Sequence, residues 1–234
     1  MSFILVPTSD PGPARLQGVR PRHAAGLIAC VIAALVCGGC QAIGFFAASY
    51  EENMPKKVEA EYDGLKGKSY AVYMIADRGI DANYPGLVPL INAQINDRLH
   101  DESGASGWIP SQALLAEIYN HPRWAAMPRS ELAKQLGVER LVVVELQEFR
   151  LNDPGNQYLW EGRATGLVSV LEVDSATPDL YAFERPVDVK FPDKSGYGPQ
   201  DMAGNVVSGA LRKRFVDRAC WLFYTHDEMK NQGY

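Results

Sequence analysis

The sequence predicts an α/β protein of the α+β-like kind: a single mixed β-sheet with helices packed on it, after an N-terminal signal and tether. Three observations predict it. Ser130 to Leu151, SELAKQLGVERLVVVELQEFRL, passes from a helical pattern through a glycine into an unbroken apolar strand. Tyr158 to Val173 and Leu180 to Phe191 read as two long strands joined by a turn. Apolar residues at helical spacing flank these segments, over 87–99 on one side and 203–222 on the other. The length of 234 residues and the 47% hydrophobic content suffice for one sizeable core.

The first segment reads as a signal. Residues 1–23 carry Arg15, Arg20 and Arg22 among four prolines and show no hydrophobic periodicity. Ala24 to Val36 is an uncharged apolar run of 13 residues. As a helix it reaches about 20 Å, short of the ~30 Å hydrocarbon core of a bilayer. Basic residues followed by a short apolar run describe a secretory signal.

Cys37-Gly38-Gly39-Cys40-Gln41 follows. It resembles the lipobox of bacterial lipoproteins, in which small residues precede a lipidated cysteine. Gly38, Gly39 and Cys40 match, and Cys37 stands where the family usually has an aliphatic residue. The resemblance implies cleavage before Cys40, a diacylglycerol on its thiol and an acylated new amino terminus. Competing readings are a plain signal peptide, a membrane anchor, or a C-x-x-C redox or zinc pair. The redox reading needs a following helix in a βαβ unit and the zinc reading two further ligands, and the flanking sequence supplies neither. In two-membrane bacteria Gln41 is compatible with export to the outer membrane. Cleavage removes Asp10 and the three arginines, leaving a chain more acidic than the formal −5 of the whole. An acidic domain then depends on its lipid for membrane attachment.

This gives a signal over 1–39, a tether over 40–66 and one α/β domain over 67–234. In the tether, Lys56 and Lys57 alternate with Glu59, Glu61 and Asp63 without an apolar face. Ser69 to Ala76 reads as the first strand, and Asp77-Arg78-Gly79 as the turn that ends it. Leu87, Leu90, Ile91, Ile95 and Leu99 mark a helix within 85–102. Trp108 and Ile109 suggest an edge strand. Pro110-Ser111 starts a second helix whose expected apolar face is Leu114, Leu115, Ile118 and Tyr119. His121-Pro122 stops it.

Ser130 is the expected cap of the next helix, with Leu132, Ala133 and Leu136 facing inward. Gly137 ends it in a left-handed conformation that a Cβ would oppose. Leu141 to Val144, without a polar break, reads as a strand covered on both faces. Asn152 to Asn156 is a turn cluster. In the 158–173 strand Trp160, Gly162, Ala164, Gly166, Val168 and Val170 share one face by period-two alternation. Pro186 places the returning strand at an edge or bulge. Ala203, Val207, Leu211, Phe215 and Leu222 stripe a last helix within 199–224, with Cys220 in its final turns.

That order, the Leu136-Gly137-Val138 turn and the 158–191 hairpin resemble the small α/β domains of bacterial envelope lipoproteins over residues 66–224. Members of that group include PelC, the curli secretion channel, the lipoprotein activators of peptidoglycan synthases and the N-terminal domain of TolB. The resemblance implies a fold and an envelope location and carries no catalytic signature.

The remaining motifs yield no reaction. Gly67-Lys68-Ser69 looks like the end of a phosphate-binding loop, but Tyr62 stands where that loop needs glycine, and the segment precedes a strand instead of following one. His100, His121 and His226 are isolated in sequence, with no H-E-x-x-H pair. Asp77 and Asp81 flank Gly79 and can pair as carboxylates, yet turn formation is their expected role, as for Asp153. Cys220 beside Trp221 reads as a buried structural thiol. No G-x-S-x-G elbow occurs. The four cysteines form no disulfide framework, and the acidic charge disfavours broad nucleic-acid binding.

The expectation is therefore a non-enzymatic, lipid-anchored envelope protein that binds a protein partner or forms a homo-oligomer. No cofactor, metal, nucleic acid or small-molecule substrate is implied. Two alternatives stand beside it: a lipid-anchored hydrolase with an unrecognised site, revived by a cleft gathering Asp77, Asp81 and a histidine, and a secretion-pore subunit, which needs a second amphipathic hairpin.

Overall fold

A computed structural model describes residues 55–228; the signal and Cys40 lie outside the described residues. The elements are β1 (Lys56–Val58), β2 (Ser69–Ala76), α1 (Arg78–Asn83), α2 (Leu87–Glu102), β3 (Gly107–Trp108), α3 (Ser111–Asn120), a 3₁₀ turn (Pro122–Ala126), α4 (Arg129–Leu136), β4 (Arg140–Arg150), β5 (Gly162–Glu172), β6 (Tyr181–Phe191), α5 (Gly204–Trp221) and β7 (His226–Glu228). This is the α/β fold that the sequence predicts. The five-stranded sheet runs β3-β2-β4-β5-β6, parallel from β3 to β4 and antiparallel from β4 to β6. Helical crossovers build the parallel half and direct turns build the antiparallel half, as strand geometry requires.

The two halves are covered differently. Leu141, Val142, Val143 and Val144 of β4 are each fully buried, because α-helical layers meet both faces there. On the inner face, Ile91, Ile95 and Leu99 of α2 and Leu211, Phe215 and Ala219 of α5 share one core with Val72, Val142, Val144, Val168 and Val170. On the outer face, Leu132 and Ala133 of α4 pack with Ala71, Leu141, Val143 and Leu171. Gly137 closes α4 at φ 70°, and the Val138 amide donates to the Ala133 carbonyl at 3.2 Å, leading the chain directly into β4. At Gly166 an added Cβ would sit 2.6 Å from the Glu145 carbonyl oxygen, so glycine permits β4, β5 and Phe215 of α5 to meet.

The structure differs from several expectations. Residues 56–66, expected within the tether, are folded: β1 pairs antiparallel with β7, and Leu65 is fully buried. The period-two pattern of β1 is too short to stand out from its charged flanks. Asp77 does not end β2 in a simple turn. It caps α1, its carboxylate accepting from the Gly79 amide at 2.7 Å. Ser130 is not a cap. Pro128 holds that position, and the Ser130 hydroxyl, buried in α4, donates to Asp179 across the gap to the β5–β6 turn. In α3 only Leu114 of the expected face is fully buried, while Leu115 and Tyr119 are 42% and 85% exposed. α3 lies beside the short edge strand β3, so one narrow stripe meets the body. β5 begins at Gly162 and not at Tyr158, because the Trp160 amide leaves the ladder to donate to the Tyr197 carbonyl at 2.8 Å.

β6 is the edge that Pro186 predicts. Its free side is blunted. Pro186 has no donor, Arg185 pairs with Glu61 at 2.5 Å, and Arg214 donates to the Lys190 carbonyl at 2.6 Å. These are the devices that keep an edge from templating another strand.

Candidate functional site

The outer face of the antiparallel half is open. Register places its residues in rows running across the strands. Glu148, Thr165 and Asp188 form one row, and Arg150, Arg163 and Lys190 form the next. Leu167 and Pro186 lie in the row toward α4, level with Glu145. Among the described residues, α4 is the helix on this face, and its packing stops at Val143 and Leu171. Pro186, Asp188 and Lys190 are exposed and the β4 and β5 members half-buried. Polar alternation on β5 and β6 allows one face to be solvated in this way.

Like charges directly opposite one another on neighbouring strands are unfavourable, so three aligned cations need compensation. Arg163 makes a two-pronged contact with Asp188 at 3.0 and 2.7 Å. Arg150 donates to Glu148 at 2.6 Å, to Asp153, and to the Asn152 and Glu161 carbonyls at 2.9 and 3.2 Å. Lys190 has no side-chain hydrogen bond or ion pair among the described residues. The Arg163 guanidinium holds the Asp188 carboxyl below its usual range. Hydrogen bonding to Glu161, and then to Arg150, lowers Asp153, whereas the same contact with Asp153 raises Glu161.

Beyond the basic row opens a cavity of about 430 Å³, lined by Arg150, Asp153, Trp160, Glu161 and Lys190 among others. Trp160 is fixed by its indole N–H donating to the Met202 carbonyl at 2.8 Å. Tyr158, 84% exposed, and Tyr197 flank it in sequence and by backbone contact. Tryptophan, tyrosine and arginine gathered at one exposed site are the residue types that carry binding energy in protein interfaces. Trp160 also touches Gly204 at the start of α5, while β1 pairs beside the other end of that helix. The site thus lies at the end of the domain remote from where the chain enters.

The residues singled out in the sequence do not gather. His100 stacks on Trp108 at 3.4 Å, His121 on Trp124 at 4.6 Å and His226 on Trp221 at 4.4 Å, each in a different part of the molecule. Asp77 and Asp81 belong to α1. Asp153 alone enters the cavity described above. Lys68 is tied to Glu139 at 2.8 Å and Asp174 at 3.0 Å, as part of a charged cluster below the sheet. There Arg140, 6% exposed, reaches Asp174 at 2.5 Å and holds its carboxyl down at about 2. Cys220 is fully buried, and burial pushes its thiol far above the usual range.

A larger cavity of about 690 Å³ lies where α2, α5 and the β1–β7 ribbon meet. At its wall the buried Asp217 carboxylate is satisfied by Arg98 and by Lys213 at 2.6 Å. That triad joins α2 to α5 and leaves no carboxylate oxygen over. Among the described residues no group of three His, Cys, Asp or Glu side chains can hold a metal ion, and no helix is long and apolar enough to cross a membrane.

Sequence reasoning missed Arg150, Arg163, Lys190, Glu148 and Asp188 as a unit. Their signal is the charged member of each period-two alternation on β4, β5 and β6. It becomes a site only when register sets the three alternations side by side.

No family model matches the chain, and no curated protein does. Solved structures do. A PelC dodecamer from Paraburkholderia phytofirmans matches at 10% identity, covering 74% of this chain and 98% of that one, with a TM-score of 0.38. The lipoprotein GNA1162 from Neisseria meningitidis matches at 10% identity over 64% and 96%, with a TM-score of 0.43. The protein XCC0632 from Xanthomonas campestris matches at 11% identity over 72% and 90%, with a TM-score of 0.41. PelC and a lipoprotein, the kinds of protein that the sequence resembles, are thus among the structures matched.

Proposed function

We propose that this protein is a lipid-anchored envelope protein that acts without catalysis, as a protein-binding or assembly accessory. The observation that carries this reading is the open outer face of β4–β5–β6, with its rows of fixed charge and the Trp160 cavity at their end. A charged sheet face rimmed by exposed aromatics suits a broad protein surface, because recognition is spread over several strands and not focused on one reacting atom. The lipobox-like segment ending at Cys40 supports the anchor, and Gln41 supports the outer membrane as its destination.

The test is co-purification from native membranes with the anchor intact, comparing the natural chain with a Trp160→Ala/Tyr158→Ala variant. A partner protein, or a second copy, retained by the natural chain and lost from the variant is the expected result. A natural chain that elutes as a monomer, with no protein held, overturns the reading.

A further inference from the structure

We propose that the outer face of β4–β5–β6 docks on the same face of a second copy of this chain, as a two-fold dimer. The proposal rests on the protein-binding reading above and names the partner. Its ground is charge complementarity set by register. The acidic row Glu148–Thr165–Asp188 lies directly beside the basic row Arg150–Arg163–Lys190. Successive same-face rows are about 6.8 Å apart along a strand. A two-fold axis lying in the interface, parallel to the rows and midway between them, exchanges the two. Lys190 then faces Asp188 of the other copy, Arg150 faces Glu148, and Arg163 faces Thr165, each contact occurring twice. Such self-complementarity is what an isologous interface demands.

The single copy leaves this arrangement incomplete. Arg150 and Arg163 make ion pairs with carboxylates of their own chain, whereas Lys190 acts on Asp153 and Asp188 only through space and makes no contact ion pair among the described residues. The rotation supplies one, since the Lys190 ammonium comes over the facing Asp188. Sheets pack face to face about 10 Å apart, a gap that facing Lys and Asp or Arg and Glu side chains can bridge. The face is also free to receive a sheet, because α4 covers only the rows at Leu141, Val143 and Leu171. Edge-to-edge pairing, by contrast, is opposed at β6 by Pro186 and by the Arg185–Glu61 pair.

Three strands by four rows make a patch smaller than the ~800 Å² per partner of a standard interface. The contacts are ionic and exposed. The dimer is therefore expected to be weak and salt-sensitive, and favoured when two chains share one membrane.

The experiment uses the full-length chain in its native membrane. Thr165→Cys places a thiol beside the axis, and a short bismaleimide reports proximity; Gln112→Cys on α3 serves as the control position. A dimer adduct of this chain from Thr165→Cys, absent from Gln112→Cys, is expected. Adding Lys190→Glu sets like charges against each other at two symmetric points, and should cut the adduct at least about tenfold. Adding Asp188→Lys to that variant restores opposite charges across the axis and should restore the adduct. Both positions are exposed, and an unchanged melting temperature for each charge variant excludes unfolding as the cause. An adduct to a different protein overturns self-docking while leaving the protein-binding reading in place. Absence of any adduct, or an adduct indifferent to Lys190→Glu, overturns the proposal. Co-purification with the Trp160→Ala/Tyr158→Ala variant decides the broader reading separately.

Discussion

Gly166 offers a quantitative check on how closely β4, β5 and α5 are packed. A methyl group placed on it lies 2.6 Å from the Glu145 carbonyl oxygen, 2.9 Å from Cζ of Phe215 and 3.1 Å from its Cε2. Ordinary contact begins near 3.4 Å. The first neighbour is strand backbone, and the second is a ring with no exposed surface, so neither yields without moving an element. Overpacking of this kind costs about 1–3 kcal/mol. Gly→Ala also restricts the unfolded chain, which returns ~0.4–1 kcal/mol. Taking the upper part of the first range, Gly166→Ala should lose about 1.5–2 kcal/mol, or ~3–8 °C in Tm for a chain of this size.

Gly209 supplies the internal comparison. It lies within α5 with nothing inside 4 Å of an added Cβ. Gly209→Ala should stabilise by about 0.5–1 kcal/mol through helix propensity. The same chemical change thus carries opposite signs at two positions. Differential scanning fluorimetry followed by urea titration measures both. In a Phe215→Leu background the Gly166→Ala penalty should shrink but persist, since the carbonyl remains. Equal signs for the two alanines, or a penalty that disappears entirely with Phe215→Leu, would refute the packing argument.

Three further outcomes are expected. Val143→Asp would bury a carboxylate between β4 and α4, and should cost several kcal/mol, enough to unfold a domain held by ~5–15 kcal/mol; loss of the near-ultraviolet dichroism reads it out, and an unchanged Tm contradicts the burial. Acid should weaken the fold through Asp174. Its folded pKa is held at about 2, against ~3.9 for a free aspartate, so its contribution is complete above the unfolded value and vanishes as pH falls from about 4 through 2. Tm of the natural chain should drop more steeply across that window than Tm of Asp174→Asn, and parallel curves would contradict the assignment. Labelling cells with a palmitate analogue should mark the natural chain and leave Cys40→Ala unmarked; equal labelling of both removes the anchor.

How much was legible in the sequence follows from the range of each interaction. The strand over 141–144, the left-handed Gly137, the α5 stripe and the edge position of β6 are written in runs of adjacent residues. Period, glycine and proline act within a turn or a strand, so they can be read without knowing the neighbours. Single side chains that choose between two local partners are less legible. Ser130 has the chemistry of a cap, but it donates to Asp179, 49 positions away. Tyr119 has the spacing of a core residue, but α3 lies at the sheet margin and Tyr119 is exposed.

The candidate site belongs wholly to tertiary structure. Arg150, Arg163 and Lys190 are far apart in the chain, and each looks like an ordinary solvated strand residue. Register across β4, β5 and β6 aligns them, and a one-residue slip would send each to the opposite face. The sequence determined by itself that a mixed sheet forms, which strand is central and where the chain is expected to be anchored, because local periodicity and a short motif suffice for those. Only the tertiary structure decided which charges share a face, which face stays uncovered and that residues 56–66 belong to the fold, because those depend on contacts between segments whose separation no local pattern encodes.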